Sequence, residues 1–195
     1  ERLRHLASLA MERSRFEARL RDQAVHDALT GLPNRALLED RMAQAEGVAA
    51  RHGEQIAALY VDVDHFKDIN DTFGHRTGDL VLTEVADRLR RAARDDDTVA
   101  RLGGDEFVVT GTVRHPAAAE ALAARICAAF AEPYVVHEWA RLPLTVSIGV
   151  ATSGQCTGRL GLLDAADLAL YEAKSQGRDR WVAYHPEMAR ASHPA

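Results

Sequence analysis

The period of the apolar positions changes several times along this chain, and each change predicts an element. Over residues 1 to about 25, Leu6, Leu9, Arg13, Phe16, Leu20 and Gln23 follow one another at steps of three and four without Gly or Pro. That spacing predicts a helix with a partial heptad seam, equally compatible with a short parallel coiled coil and with a solvated helix. A turn cluster of Thr30, Gly31, Pro33 and Asn34 precedes a predicted helix over Arg35 to about Ala50. Ile56 to Asp62 is an apolar run ending in acids, as in a buried strand whose C-terminal end opens onto a site. From Gly78 to Arg94, Leu82, Val85, Leu89 and Ala92 recur at helical steps. Thr98 to Leu102 and Phe107 to Thr112 flank Gly103-Gly104-Asp105-Glu106, a hairpin with acids at its tip.

Ala119, Leu122, Ile126 and Ala129 mark a second long helix. Leu144 to Ala151 alternates large apolar with small or polar residues, which predicts a strand with one buried face. Leu163, Ala166, Leu170 and Ala173 mark a last helix stopping near Gly177, and Trp181 to Ala183 an edge strand. The order is β-α-β-β-α-β with additions: an α+β fold, helices packed on one face of the sheet and an N-terminal helix in front. Residues 1–25 read as a stalk helix, 26–185 as one globular domain, and 186–195, with Pro186 and Pro194, as a flexible tail.

Composition narrows the function classes. With 195 residues, 47% of them hydrophobic, the chain is long enough for one proper core. A net charge of -5 and the lack of a Lys/Arg run interleaved with aromatics argue against a nucleic-acid polymer as partner. The two cysteines, Cys127 and Cys156, fit neither a disulfide framework nor a metal-knuckle spacing, as in a reducing cytoplasm. No apolar run reaches the roughly 18 residues of a spanning helix, so no membrane contact is expected of this stretch. A first residue of Glu1 suggests a piece of a longer chain.

The candidate chemistry lies in two acidic patches, Asp62-Val63-Asp64 and Asp105-Glu106, at strand ends that can converge. Carboxylates crowded together repel unless solvated, protonated or bridged by a cation, and hard oxygen ligands suit Mg²⁺ or Mn²⁺. Gly103 and Gly104 allow a tight turn and let a base or phosphate approach the backbone; taken alone, the same turn is an ordinary solvated hairpin. After the first strand, Lys67 offers a cation for phosphate, while Asn70 and Asp79 match a guanine edge, whose N1 and N2 hydrogens need a carboxylate acceptor. Lys174 and Arg178 sit one helical turn apart, either to neutralise a triphosphate or to balance the helix dipole.

Together these residues resemble the GGDEF family of diguanylate cyclases. The likeness rests on Arg101-Leu102-Gly103-Gly104-Asp105-Glu106-Phe107, on Asp27 through Arg35, on Asp62 through Asp79, on Ser147 through Ala151 and on Ala166 through Lys174. It covers roughly residues 24 to 185 in the family's order. The resemblance implies an antiparallel-rich palm similar to class III nucleotidyl cyclases. It assigns metal binding, with two Mg²⁺ or Mn²⁺ per site, to Asp62, the Val63 carbonyl and Asp105, and places Glu106 near the metal or the attacking hydroxyl. By the same likeness Asn70 and Asp79 read guanine, and Lys67, Lys174 and Arg178 hold phosphates. The implied reaction condenses two GTP molecules into cyclic di-GMP, a bacterial second messenger, with release of two pyrophosphates.

A two-fold symmetric product made by domains that each bind one GTP implies a homodimer, with the N-terminal helix relaying the state of an upstream sensory domain. Arg94 and Asp97 stand at the spacing of the family's product-inhibition motif, and Arg125 where the family often has a second arginine. Asp179 departs from the family's more usual Asn beside Arg178. The rival within the family is a domain that has lost catalysis and serves as a GTP or cyclic di-GMP sensor. The resemblance also implies a cytoplasmic domain.

Overall fold

The computed structural model describes residues 24–137, 140–156 and 161–191. The expected stalk helix, apart from its last residues, and the last four residues lie outside them.

Helix α1 (Arg35–His52) opens the domain, followed by strand β1 (Gln55–Val63), the short helix α2 (Phe66–Phe73) and helix α3 (His75–Ala92). Strands β2 (Thr98–Gly103) and β3 (Glu106–Val113) lead to helix α4 (Pro116–Ala129) and to a small hairpin, β4 (Tyr134–His137) and β5 (Ala140–Leu142). Strand β6 (Val146–Thr152), helix α5 (Leu162–Ser175), strand β7 (Arg180–Ala183) and helix α6 (Pro186–Ala191) complete it. Local signals set several of these boundaries. The side chain of Asn34 accepts a hydrogen bond from the Leu37 N–H at 3.2 Å and so starts α1, while Gly53, at φ 66°, ends it.

The sheet runs β2-β3-β1-β6-β7, antiparallel throughout except for the parallel β6–β7 pair. Strand β1 lies at its centre and is buried along nearly its whole length. Its alternate residues feed two separate cores. Ala57, Leu59, Val61 and Val63 pack with Val81, Val85 and Leu89 of α3 and Ala119, Leu122 and Ile126 of α4. Ala58 and Tyr60 pack with Leu38 of α1 and Ala165, Ala166, Ala169 and Leu170 of α5.

Helices therefore cover both faces, not one as the sequence pattern suggested. The reason is visible in β1: an apolar run without strict alternation is buried on both sides. Strand β6 corrects the expectation in the same way, since every one of its residues is buried. Its small residues Ser147, Gly149 and Ala151 face a helix lying very close. A Cβ built on Gly149 would run into the backbone of Ala166 and Leu170. The alternation of large and small residues thus records two helix layers at different distances, not an inside and an outside.

Three elements were not anticipated: α2, the β4–β5 hairpin and α6. Residues 186–191 are a short helix rather than a loose tail, because Pro186 at a first helical position costs no hydrogen bond and Met188 packs against the α5 core. Among the described residues no helix is long and apolar enough to cross a membrane.

Gly149→Val is expected to destabilise the domain by about 3 kcal/mol, the upper range for overpacking, because the obstacle is helix backbone. Urea unfolding followed by circular dichroism measures it; an unchanged midpoint would contradict the close approach of α5.

Candidate active site

Three strand ends build the site. Strand β1 delivers Asp62 and Val63, and the β2–β3 hairpin folds back so that Glu106 pairs directly with Asp62 across the sheet. The Val63 N–H donates to the Asp105 carbonyl at 3.3 Å, which locks the hairpin tip to the end of β1. The tip is tight: Gly103 pairs with Glu106, leaving Gly104 and Asp105 as the loop, with φ of 148° at Gly103 and 52° at Gly104. The first angle lies where only glycine is unstrained and the second in the left-handed region that glycine enters most readily, so these glycines answer to backbone conformation.

The charges are compensated from α5. Lys174, in the last turn of that helix, places Nζ 2.7 Å from Oδ2 of Asp62. Burial pushes the Asp62 carboxyl above its ordinary value; Lys174 pulls the other way, and the charges of Asp105 and Asp64 add to the upward push. Tyr60, two residues before Asp62, donates its phenol to Oε2 of Glu106 at 3.2 Å. Burial and the Glu106 charge together push that phenol up to about 12, so it remains a donor at neutral pH.

Asp64 belongs elsewhere, although the sequence groups it with Asp62. Its oxygens accept from Thr145 Oγ1 at 2.8 Å, Ser147 Oγ at 2.7 Å and the Asp179 N–H at 3.1 Å. These bonds tie β1 to β6 and to the turn after α5, and they satisfy both oxygens of the carboxylate.

The expected guanine partners lie on the two helices that follow β1. Asn70 on α2 lies against Gly78 of α3, where a Cβ would collide with its Oδ1, and Asp79 is the next residue. Lys67 is exposed in the first turn of α2. Lys174 and Arg178, by contrast, do not share a helical face, because α5 ends at Ser175. Gly177, Arg178 and Asp179 follow at φ of 109°, 63° and 47°, and the Arg178 N–H closes the turn on the Ala173 carbonyl at 3.1 Å. Asp shares with Asn a tolerance of the left-handed region, so the departure at Asp179 preserves the turn.

Arg94 and Asp97 occupy one turn in which Oδ2 of Asp97 accepts the Arg94 N–H at 2.8 Å. Both line a cavity of about 250 Å³ with Leu32, Pro33 and Arg90. Arg125 donates its Nε to the Ala92 carbonyl at 2.6 Å and lines a different concavity, of about 520 Å³, between α3 and α4. The three are neighbours along the fold but do not face one pocket within a single chain.

The oxygen set at the sheet end suits a divalent ion of the Mg²⁺ type. Among the described residues no group of three or more His, Cys, Asp or Glu side chains is placed to hold a metal. Two carboxylates and a carbonyl leave the remaining positions to water and phosphate, the usual habit of Mg²⁺.

Comparison with known proteins identifies the family. The family model described as "Diguanylate cyclase, GGDEF domain" matches residues 24–180. The chain belongs to the GGDEF family. This GGDEF domain is 43% identical over 183 residues to the bifunctional diguanylate cyclase/cyclic di-GMP phosphodiesterase MucR of Pseudomonas aeruginosa, covering 92% of the chain but 26% of MucR. It therefore spans about a quarter of that relative's length. The structure of the isolated GGDEF domain of TpbB from Pseudomonas aeruginosa superposes with a TM-score of 0.81 at 39% identity, covering 86% of this chain and 98% of that one. The coiled coil and GGDEF domain of DgcB from Caulobacter crescentus, in complex with c-di-GMP, gives a TM-score of 0.74 at 31% identity, covering 92% of this chain and 97% of that one.

Sequence reasoning missed how the hairpin tip of this GGDEF domain is braced. Arg101 donates from Nε and Nη2 to the Gly104 carbonyl, at 3.1 and 2.7 Å, and from Nη1 to Oδ1 of Asp27 at 2.9 Å. Asp27 also accepts from the N–H and hydroxyl of Thr30, at 2.9 and 2.7 Å. Burial pushes the Asp27 carboxyl up, but the Thr30 bonds and the Arg101 guanidinium outweigh it and hold the group below its ordinary value. The only sequence signal was that both residues fall in stretches shared with the family.

Arg101→Ala is expected to destabilise the domain by about 1 to 2 kcal/mol, because the Gly104 carbonyl loses its guanidinium donor and Asp27 loses its cation while keeping the Thr30 bonds. A carboxyl depressed in the folded state stabilises fully above its unfolded value and loses that contribution as the pH falls through the folded one. Asp27→Asn should therefore flatten the loss of stability on acidification below about pH 4. Chemical unfolding at pH 7 and at pH 3 checks both; equal pH dependence in parent and variant would contradict the account of Asp27.

Proposed function

We propose that this domain is a diguanylate cyclase, condensing two GTP molecules into cyclic di-GMP and releasing two pyrophosphates. The observation that carries the reading is the register of β1 on β3, which sets Asp62 opposite Glu106 with Asp105 at the adjoining tip and Lys174 bonded to Asp62. In each half of the reaction the 3′ oxygen of one GTP bonds to the α-phosphorus of the other. The bond from that phosphorus to the β-phosphate oxygen breaks, and pyrophosphate leaves.

Asp62, Asp105 and the Val63 carbonyl would hold the divalent ions, two per site, as Mg²⁺ or Mn²⁺. When bound, such ions lower the pKa of the attacking hydroxyl and offset charge building on the phosphate oxygens. Glu106 lies beside them, near the ion or the hydroxyl. Lys67, Lys174 and Arg178 hold the phosphates, Asn70 and Asp79 read the guanine edge, and Gly103 and Gly104 let the nucleotide approach the hairpin backbone. Asp79 favours GTP on both sides, since adenine offers no N1 donor to a carboxylate.

Each domain brings one substrate, so turnover requires a homodimer with the two hairpins facing. The N-terminal helix sets how often they align, on behalf of an upstream sensory domain in the full-length protein. Cyclic di-GMP inhibits by binding Arg94, Asp97 and Arg125. That DgcB has been solved with c-di-GMP supports product binding by domains of this kind. Because Arg94 and Arg125 line separate cavities, the bound product is expected to draw on a second domain.

Incubation with GTP and Mg²⁺, following pyrophosphate release and identifying the nucleotide by mass, tests the reading. Cyclic di-GMP is expected from the parent, with Asp105→Ala slower by on the order of 100- to 1,000-fold, as for loss of one electrostatic stabiliser. Arg94→Ala should turn over normally but escape inhibition by added product. Absence of product from the parent, even at concentrations where dimers form, would leave a GTP- or cyclic di-GMP-binding module in place of the cyclase.

A further inference from the structure

Tyr60 carries a hydroxyl that packing does not explain. Side chains two residues apart on a strand share a face, so Tyr60 lies beside Asp62 on the side covered by α1 and α5. Its ring sits among Ala58, Val108 and Leu170, is 8% exposed, and would be replaced there by phenylalanine without loss of contact. The phenol reaches diagonally across the β1–β3 pair to Oε2 of Glu106, at 3.2 Å. Asp167 on α5 and Arg35 at the start of α1 are the other charged groups acting on this phenol. The bond ties down one oxygen of Glu106 and so limits the rotation of the other.

We propose that Tyr60 is a positioning residue: by donating to Oε2 it holds the Glu106 carboxylate at the sheet end where Asp62 and Asp105 converge, and so sets how tightly the site binds its divalent ion. The inference rests on the reading that Glu106 acts beside that ion. It goes further by assigning control of Glu106 to a residue outside the glycine-acid signature. Removing a partner that orients a group at a metal site typically costs 10- to 100-fold in affinity or rate.

The test is Mn²⁺ binding in the presence of 3′-deoxy-GTP, which cannot supply the attacking oxygen, read from the paramagnetic resonance signal of the free ion. Tyr60→Phe is expected to weaken Mn²⁺ binding about tenfold while the thermal midpoint stays within about 4 °C. In a Glu106→Gln background the same replacement should change the affinity by less than about twofold, because the coupling partner is gone. Unchanged affinity in Tyr60→Phe, or equal weakening in both backgrounds, overturns the proposal. A parent that binds Mn²⁺ and the analogue yet makes no cyclic dinucleotide from GTP sinks the cyclase reading alone, and the comparison of variants still decides the role of Tyr60. A parent that binds no Mn²⁺ overturns both.

Discussion

The organising constraint of this domain is the crowding of carboxylates at one end of its sheet. The pairing of Asp62 with Glu106, and the bond from the Val63 N–H to the Asp105 carbonyl, bring three acids to one sheet end, and Asp62 is 8% exposed. Burial and the charges of Asp105 and Asp64 push the Asp62 carboxyl up against the pull of Lys174, so the crowding is felt at Asp62 itself. Nothing in β-sheet energetics asks for this; like charges directly opposite are destabilising. The arrangement persists because Asp62 and Glu106 each receive a compensating donor.

Much of the fold reads as that compensation. Helix α5 brings Lys174 to Asp62, and it lies this close because Gly149 presents no side chain to the backbone of Ala166 and Leu170. Asp64 is diverted from the acidic end into bonds with Thr145, Ser147 and the Asp179 backbone, which secure the left-handed turn carrying Arg178. Arg101 grips the Gly104 carbonyl and Asp27 at once, so the tip is held by the segment that enters the domain. Tyr60 does for Glu106 what Lys174 does for Asp62: it supplies a donor from the same face.

What the sequence made legible was local. The buried strand ending in acids, the glycine hairpin, and the turn cluster before α1 each rest on a few consecutive residues, and each is present. Less legible was anything requiring two distant stretches to meet. Asp27 and Arg101 are separated by 74 positions and Tyr60 and Glu106 by 46, and neither pairing leaves a trace in periodicity. Helices on both faces were missed for a related reason: small residues in β6 looked exposed when they were making room. Pro186 counts toward a flexible tail in the sequence pattern, although proline is well suited to a first helical turn.

Because the acids are held together against their own repulsion, the most direct test is thermal stability with and without Mg²⁺ and GTP for the parent and Asp105→Asn. Removing one charge should raise the midpoint of the ligand-free domain, as expected where function strains the fold, and should abolish most of the rise that Mg²⁺ with GTP gives the parent by preferential binding to the folded state. A variant that is less stable without ligand, and that gains as much from Mg²⁺ with GTP as the parent does, would contradict the assignment of this carboxylate cluster as the cation and triphosphate site.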